Sequence, residues 1–258
     1  MRIALIGAGN LATQLGLALY ATGYEVTQVY SRTNESAAML ASKIQAEPTN
    51  DPKAIRSDAD VYFLALKDEV LPSVLPLFSF GKGIVALTSG SLDLTVLSSY
   101  AAQTAVFYPL QTFSKDRLVS FRNIPIFIET LQPKVEETLI SIAKRIGDRV
   151  EMVNAAQRMT LHVAAVFCCN FVNYLYVLSS DILKDENLNF KFLQPLIQET
   201  AAKIQALTPV QAQTGPAVRM DYSIIEKHKE LLSHSDVLLE TYNMLTKGIF
   251  ERINHKPV

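Results

Sequence analysis

Apolar and polar positions alternate in two different ways along the chain. Over residues 1–153, short apolar runs of strand length alternate with segments whose apolar side chains recur at helical spacing. Over residues 154–258 the helical spacing continues almost without interruption, and glycine becomes rare. We therefore predict an α/β domain at 1–153, built on a doubly wound and mostly parallel sheet, followed by a smaller all-helical domain at 154–258.

The apolar runs define the expected elements. We predict strands at 2–6, 25–30, 60–66, 84–87, 105–108, 124–129 and 149–153. Helices are predicted at 10–22, 36–44, 69–77, 134–146, 155–180, 192–207, 223–232 and 236–253. Ser223 and Glu226 match a capping box, and Asp221 is interpreted as a residue that starts this helix.

The helix predicted at 155–180 is apolar on nearly all of its faces. Such a helix is buried on most sides, and a small helical domain has little surface with which to cover it. We therefore expect a homodimer formed through this domain. The most apolar internal stretch, 163–172, is shorter than the roughly 20 apolar residues that cross a bilayer, so we expect no membrane span.

The pattern Gly7-x-Gly9-x-x-Ala12 follows the first predicted strand and begins the first predicted helix. In that context Gly7 permits a tight turn and Gly9 lets the backbone approach a pyrophosphate. Asn10 and Leu11 lie in the first turn, where free N–H groups favour an anion. An ordinary glycine-rich turn is the alternative, but the order of strand, turn, helix and strand favours a Rossmann-like dinucleotide-binding domain.

The end of the second predicted strand bears on the choice of cofactor. An Asp or Glu at this position accepts from the ribose 2′-hydroxyl of NAD, whereas this chain has Ser31, Arg32 and Thr33. A guanidinium pairs with a 2′-phosphate and flanking hydroxyls add donors, which favours NADP. A solvated surface arginine is the alternative interpretation, and Glu35 keeps the NAD possibility open.

Two later loops are expected at the carboxyl ends of strands, where ligands bind in such sheets. Leu66 and Lys67 follow one strand, and Ser89 follows the next. We predict that they border the cofactor, although Lys67 is interpreted equally well as an exposed cation at a helix start.

His162 is the one histidine inside an apolar run, and it shares a helical face with Val166, Asn170 and Asn173. Buried polar groups need partners, and a ligand would supply them; mutual hydrogen bonding among these side chains is an equally good explanation. Arg219, between two predicted helices, is a candidate clamp for a substrate carboxylate or a cofactor phosphate. We expect His234 and His255 at the surface.

Composition narrows the class of protein. A formal net charge of -1 excludes the basic footprint of a nucleic-acid binder, and 49% hydrophobic residues exclude a disordered chain. The two cysteines, Cys168 and Cys169, are adjacent and suit a reducing compartment, so we expect a cytoplasmic protein without a structural zinc. The glycine turn interrupts the apolar N-terminus, so we expect no secretory signal.

Six segments occur in a fixed order along the chain; they are Ile6-Gly-Ala-Gly-Asn-Leu-Ala12, Asp60-Val-Tyr-Phe-Leu-Ala-Leu-Lys67, Thr88-Ser-Gly-Ser91, Tyr108-Pro-Leu-Gln-Thr-Phe113, His162-x-x-Ala165-x-Phe-x-x-Asn170 and Gly215-Pro-x-x-Arg219-x-Asp221. Together they resemble a bacterial family that joins a Rossmann-like NADP-binding half to a helical C-terminal half of unassigned function. The N-terminal half is similar to pyrroline-5-carboxylate reductase and to the group that includes 6-phosphogluconate and prephenate dehydrogenases.

The resemblance implies a site as well as a fold. It implies nucleotide binding at Gly7, Gly9, Asn10, Leu11 and Arg32. It also implies a cleft bordered by Ser89, Pro109, Gln111, Thr112, His162, Asn170 and Arg219. Members of the family often have His immediately before the Pro of the Pro-Leu-Gln-Thr loop, where this chain has Tyr108. A mechanism that depends on a histidine at that position is therefore in doubt.

These observations predict an NADP(H)-dependent oxidoreductase that acts on a small carbonyl, imine or hydroxy-acid compound. His162 is the first candidate for the proton donor and Tyr108 the second, with Asn170 beside them. Candidate substrate contacts come from Pro109, Gln111, Thr112, Asn173 and Arg219. The alternative from another functional class is a non-catalytic protein that senses NADP(H). A third possibility is a protein that binds a flavin or S-adenosylmethionine.

Overall fold

The computed structural model describes residues 1–254, so His255 lies outside the described residues. The chain forms two compact units, Met1–Asn170 and Phe171–Val258. The last strand ends at Met152 and the next helix begins at Ala155, which matches the change of pattern near residue 153. The boundary between the two compact units lies further along the chain, between Asn170 and Phe171 in the helical region.

The first unit contains an eight-stranded sheet with strand order β3-β2-β1-β4-β5-β6-β7-β8. Neighbouring strands are parallel except for β6 and β7, which are antiparallel. This arrangement confirms the predicted doubly wound α/β fold. The strands are β1 (Arg2–Ile6), β2 (Glu25–Tyr30), β3 (Glu47–Thr49), β4 (Val61–Leu64), β5 (Ile84–Leu87), β6 (Gln103–Pro109), β7 (Pro125–Glu129) and β8 (Arg149–Met152).

Helices cover both faces of the sheet, and each face has its own apolar core. The central strands β4 and β5 are buried at every position, as their continuous apolar runs predict. The predicted helix at 69–77 is one α-helical turn followed by a 3₁₀ turn, because it contains two prolines. The helices of this unit are α1 (Asn10–Ala21), α2 (Asn34–Ile44), α3 (Leu71–Val74), α4 (Pro133–Ile146) and α5 (Ala155–Ala165).

The second unit is helical, with a small core of Leu178, Leu232 and Leu238. Its α9 helix is capped by Asp221, whose carboxylate accepts from the Ile224 N–H at 3.3 Å. The predicted Ser223 capping box is wrong, because the Ser223 hydroxyl donates to Asp221 instead. The helices are α6 (Val172–Asp185), α7 (Gln194–Ala206), α8 (Pro209–Ala212), α9 (Tyr222–Leu232) and α10 (Asp236–Asn254).

One helix is longer and more exposed than the sequence pattern predicts. A π-helical segment, Val166–Phe171, joins α5 to α6, so that Ala155–Asp185 is helical over 31 residues. An 18-residue window in this helix has a mean hydropathy of 1.6, and none of that window is buried within the chain. By length and composition alone the helix qualifies as a membrane span, so the expectation that no segment does so is wrong. The expectation of burial on most sides is also wrong for the single chain.

Candidate functional site

The turn between β1 and α1 brings the backbone close to the end of β4. Gly7 has φ +129°, and a Cβ atom there would lie 2.3 Å from the Ala65 carbonyl oxygen, so only glycine fits. Its N–H donates to the Tyr30 carbonyl at 2.8 Å, which ties the turn to β2. The next glycine, Gly9, is the N-cap of α1 and provides no side-chain cap.

Space in front of Gly9 makes the start of α1 accessible. A Cβ atom on Gly9 would meet nothing within 4 Å among the described residues. The first-turn N–H groups, which include those of Asn10 and Leu11, receive no side-chain cap from Gly9. Free N–H groups at a helix N-terminus bind anions, so the turn fits the pyrophosphate of a dinucleotide.

The three residues after β2 have different structural roles. The Ser31 N–H donates to the Thr49 carbonyl at 3.1 Å and thereby fixes the end of β2. The Thr33 hydroxyl caps α2 by accepting from the Ser36 N–H, and it donates to the Ser36 hydroxyl at 2.9 Å. Arg32 is exposed and makes no ion pair within residues 1–254. Arg32 is therefore the charged side chain of the three that is available to a phosphate.

Beyond β4, Lys67 is exposed, and its neighbour Asp68 contacts the loop after β5. Lys67 is 81% exposed and lies 3.8 Å from Glu69, whereas Leu66 packs against the core. The Asp68 carboxylate accepts hydrogen bonds from the hydroxyls of Ser89 and Ser91. Asp68 therefore connects the loop after β4 to the loop after β5, which comprises residues 88–91.

The 88–91 loop is held in one shape by its own serine. The Ser89 hydroxyl accepts from the N–H groups of Ser91 and Leu92, both at 3.1 Å, while it donates to Asp68. Gly90 is buried in the middle of this loop. A Cβ atom on Gly90 would lie 2.7 Å from Nδ1 of His162 and 2.8 Å from Cζ of Tyr108, so the backbone of the loop packs directly against both rings.

Tyr108 and His162 form a hydrogen-bonded pair. The Tyr108 hydroxyl lies 3.0 Å from Nδ1 of His162, and the two rings meet edge to face. Burial raises the pKa of Tyr108, and the positive charge of Arg158 partly opposes that effect. Because the phenol stays protonated at neutral pH, its hydroxyl is able to donate to Nδ1 of His162. Nδ1 is occupied by this hydrogen bond, so Nε2 is the ring atom left for a ligand.

Arg158 is a buried cation next to this pair, and the sequence analysis did not identify it. It lies in the first turn of α5, one helical turn before His162, and is 1% exposed. Its Nε and Nη2 atoms both lie 2.9 Å from Oε2 of Glu129, and Nη1 donates to the Ser89 carbonyl at 3.2 Å. Arg158 lies four residues before His162 and so shares its helical face. That spacing is the sequence signal that could have identified Arg158.

A cavity of about 670 Å³ opens beside the Tyr108–His162 pair. Its wall within the first unit is mostly apolar, with Gln111, Thr112 and Asn170 as uncharged polar groups. The Thr112 N–H donates to the Gln111 side-chain oxygen at 2.8 Å, while Pro109 is buried at the end of β6. The full set of lining residues is Tyr108, Leu110, Gln111, Thr112, Leu161, His162, Ala164, Ala165, Val166, Cys168, Cys169 and Asn170.

Two predicted site residues lie in the second unit. Asn173 is exposed in α6, and Arg219 is exposed in the segment before α9. Neither side chain makes a hydrogen bond or ion pair with the part of the chain that the structure describes. Within the first unit, by contrast, Tyr108, His162, Asn170, Gln111 and Thr112 are brought together around one cavity.

Two family models match separate parts of the chain. Residues 2–90 match the model described as NADP oxidoreductase coenzyme F420-dependent. Residues 124–249 match a domain of unknown function, DUF2520. Among curated proteins, the chain is 22% identical over 185 residues to glutamyl-tRNA reductase of Sulfurisphaera tokodaii, which covers 62% of this chain. The chain spans less than half of that relative, 44% of its length.

Solved structures match the whole chain. A Bacteroides fragilis protein that is named as an NADP oxidoreductase is 42% identical, with a TM-score of 0.91 over 97% of this chain and 98% of that one. The imine reductase of Myxococcus stipitatus, solved with NADP+, is 14% identical with a TM-score of 0.71 over 98% and 94%. The pyrroline-5-carboxylate reductase of Streptococcus pyogenes is 11% identical with a TM-score of 0.64 over 97% and 98%. The last two likenesses establish a common fold.

Proposed function

This chain belongs to the family of NADP oxidoreductases that includes the Bacteroides fragilis protein, and from that membership we propose that it reduces a small carbonyl or imine compound at the cavity beside Tyr108 and His162. An NADP oxidoreductase domain followed by DUF2520 is also the arrangement that the sequence motifs predict. The chain is an NADP-dependent oxidoreductase, and its cofactor is NADP(H). The hydrogen-bonded pair at the cavity wall is the observation on which the proposed chemistry depends.

The cofactor sites at residue level are also proposals. The turn of Gly7 and Gly9 and the first-turn amides of Asn10 and Leu11 would hold the pyrophosphate, because the space in front of Gly9 is open. Arg32 would pair with the 2′-phosphate. The remaining candidates would border the cofactor through backbone or partly engaged hydroxyl groups; they are Ser31, Thr33, Leu66, Lys67 and Ser89. When bound, NADPH supplies the hydride.

The side chains at the cavity supply the proton. When His162 is protonated, Nδ1 donates to the Tyr108 oxygen and Nε2 remains to donate to the atom of the substrate that gains negative charge. The Tyr108 hydrogen bond holds the ring in one orientation throughout, so proton transfer changes the charge of the ring without rotating it. Asn170, at the same wall, would donate to or accept from the substrate through its amide.

The composition of the cavity wall favours an uncharged substrate. Within the described part of the first unit, the lining contains no lysine, arginine or carboxylate. A buried carboxylate needs a cation as partner, so this wall suits a carbonyl or imine better than a hydroxy acid. Pro109, Gln111 and Thr112 would shape or contact the substrate from the first unit. Asn173 and Arg219, which lie in the second unit, stay candidate substrate contacts predicted from the sequence, and Arg219 is the candidate partner for an acidic substrate.

The decisive experiment combines turnover with cofactor binding. NADPH oxidation is followed with a panel of 2-oxo acids, aldehydes, ketones and cyclic imines, and hydroxy acids are tested with NADP+. We expect His162→Gln to lower turnover on the order of 100-fold or more while the Kd for NADPH changes little. The matched control is His228→Gln, because His228 forms a similar pair with Tyr242 at 2.9 Å in the second unit.

Three results would count against the proposal. Full turnover by His162→Gln would remove His162 from the mechanism. Tight NADPH binding without turnover across the panel would instead favour a non-catalytic sensor. A yellow protein that does not bind nicotinamide cofactors would indicate a flavin.

We also propose that the protein is a cytoplasmic homodimer without nucleic-acid or membrane partners. The free cysteines suit a reducing compartment. The long helix has exposed apolar side chains at Met159, Val163 and Val177, and a second copy of the chain would cover them. This explanation accounts for the apolar window of the helix without a bilayer.

A further inference from the structure

The first unit contains a buried cation that the proposed proton transfer does not use directly. Arg158 is 1% exposed, whereas arginine is almost always at the surface. A buried charge is tolerated only when it is paired and hydrogen-bonded, and Glu129 provides the pairing. Both Nε and Nη2 contact the same Glu129 oxygen, which leaves Nη1 for another acceptor.

The remaining donor, Nη1 of Arg158, contacts the 88–91 loop, which packs against the Tyr108–His162 pair. Nη1 of Arg158 donates to the Ser89 carbonyl, the last acceptor before Gly90. Gly90 packs so tightly against both rings that even a methyl group would not fit. A displacement of the Ser89 carbonyl would therefore move the backbone that holds Tyr108 and His162 in contact.

We propose that Arg158 is the positioning residue of this pair: through the Ser89 carbonyl it holds the 88–91 loop against Tyr108 and His162, and with Glu129 it sets the charge beside them. This inference rests on the proposed function for its catalytic consequence, whereas the positioning itself is a property of the protein alone. Arg158 does not line the cavity, so its effect is transmitted through the loop and through its charge.

The charge of Arg158 acts in a defined direction. The groups around the pair that carry or gain charge are Arg158 on α5, Glu129 on β7, Asp68 and Asp93 in the loops, and Cys168 and Cys169 in the π-helical segment. Arg158 favours the ionised form of Tyr108 and so lowers its pKa against the effect of burial. Glu129 neutralises part of that charge, since its carboxylate contacts the guanidinium directly.

Opposite substitutions should therefore have opposite effects. Arg158→Gln removes a cation that opposes protonation of the Tyr108–His162 pair, so the pair keeps its proton to higher pH and the basic limb of the kcat/KM profile moves to higher pH. Glu129→Gln leaves the cation without its counter-charge, so the basic limb moves to lower pH. Each shift should be about one pH unit. An ion pair that only stabilised the fold would lower the Tm in both variants without moving the limb.

Arg158→Lys distinguishes the effect of holding the 88–91 loop from the effect of the positive charge. Lysine keeps the positive charge but cannot bridge Glu129 and the Ser89 carbonyl as the guanidinium does. We expect the pH profile of Arg158→Lys to stay close to wild type while kcat falls on the order of 100-fold, because the loop is no longer held. The matched control is Arg122→Gln, which removes the exposed Arg122–Asp148 pair and should change neither quantity.

Nitrogen-15 NMR of the histidine rings provides a readout that needs no substrate. The chain has 4 histidines, and the His162 signals are identified by their loss in His162→Gln. We expect Arg158→Lys and Glu129→Gln to shift the His162 ring signals while the His228 signals stay in place. Should Arg158→Gln fail to fold, these two variants still test the proposal.

Different results would contradict the positioning role of Arg158 and the proposed function. Unchanged His162 signals in folded Arg158→Lys and Glu129→Gln, together with an unchanged kcat in Arg158→Lys and an unchanged pH profile in Glu129→Gln, would overturn the positioning role and leave the proposed function intact. If His162→Gln retained full turnover, the proposed function would fail, and the NMR experiment would still decide whether Arg158 positions the pair.

Discussion

At the scale of single residues, two glycines have opposite surroundings. The surroundings of Gly90 are full, because a Cβ atom there would lie within 3 Å of both rings of the Tyr108–His162 pair. The surroundings of Gly9 are open, because nothing of the described chain lies within 4 Å of the same position. In the first case the protein excludes a side chain, and in the second we expect that the ligand does.

Substituting Gly9 tests that distinction. Gly9 has φ -78°, which alanine adopts without strain, so Gly9→Ala should fold with an unchanged Tm. The added methyl group would occupy the space reserved for the pyrophosphate, and we expect the Kd for NADPH to rise on the order of tenfold. Calorimetry measures the Kd. Gly248→Ala, also free of close neighbours but in the second unit, is the control. Unimpaired NADPH binding by Gly9→Ala would contradict the placement of the pyrophosphate.

Arg32 is the residue that should distinguish the two nicotinamide cofactors. Loss of a charge-assisted hydrogen bond to the 2′-phosphate should raise the Kd for NADPH about 10- to 100-fold in Arg32→Ala. NADH lacks that phosphate, so its Kd should change little. Lys134→Ala, another exposed cation of the first unit, is the control for a general charge effect. Equal losses for NADPH and NADH would argue against the proposed contact.

Some of these residues could be identified from the sequence, and others could not. Gly7 and Gly9 are detectable because a tight turn and an exposed helix start each demand glycine at a fixed spacing. Tyr108 and His162 were each candidates, but their pairing was not predictable, because they are 54 residues apart and no spacing rule connects them. Arg158 was missed because an arginine in a helix is interpreted as solvated unless its burial is known.

At the scale of elements, the strands and helices with long apolar patterns were predictable, whereas the short strand β3 and the π-helical segment were not. The predicted strands are present, but β3 was missed because it has three residues and contains Pro48 rather than an apolar run. The π-helical segment was also missed. It widens the helix locally, so that Cys168, Cys169 and Asn170 all line the cavity, and it breaks the face that a regular helix would give to His162, Asn170 and Asn173.

The π-helical segment leads to a prediction about the two asparagines. Asn170 lines the cavity, whereas Asn173 is not among its lining residues. Asn170→Ala should therefore lower kcat/KM about 2- to 10-fold through the loss of one hydrogen bond, and Asn173→Ala should have a smaller effect. Steady-state kinetics with the best substrate of the panel compares the two. A larger loss for Asn173→Ala would mean that the second unit makes the principal polar contact.

At the scale of the whole molecule, an exposed apolar helix requires an explanation. Its length and mean hydropathy would permit a membrane span, and its apolar side chains at helical spacing would equally suit a second subunit. His162 and Asn170 lie in the same helix and line a polar-edged cavity. Polar groups of this kind favour an interface between proteins over the interior of a bilayer.

Light scattering combined with vesicle sedimentation distinguishes these alternatives. We expect wild type to be a dimer at micromolar concentration and to stay in the supernatant with vesicles of phosphatidylcholine and phosphatidylglycerol. Lysines at two exposed apolar positions, Met159→Lys with Val177→Lys, would place unpaired charges in the interface and should produce monomers. The control is Leu131→Lys, which changes a residue that is 96% exposed in the first unit and should leave the dimer intact. A monomeric wild type would contradict the dimer, and co-sedimentation with vesicles would favour the bilayer, because the same apolar face cannot serve both partners at once.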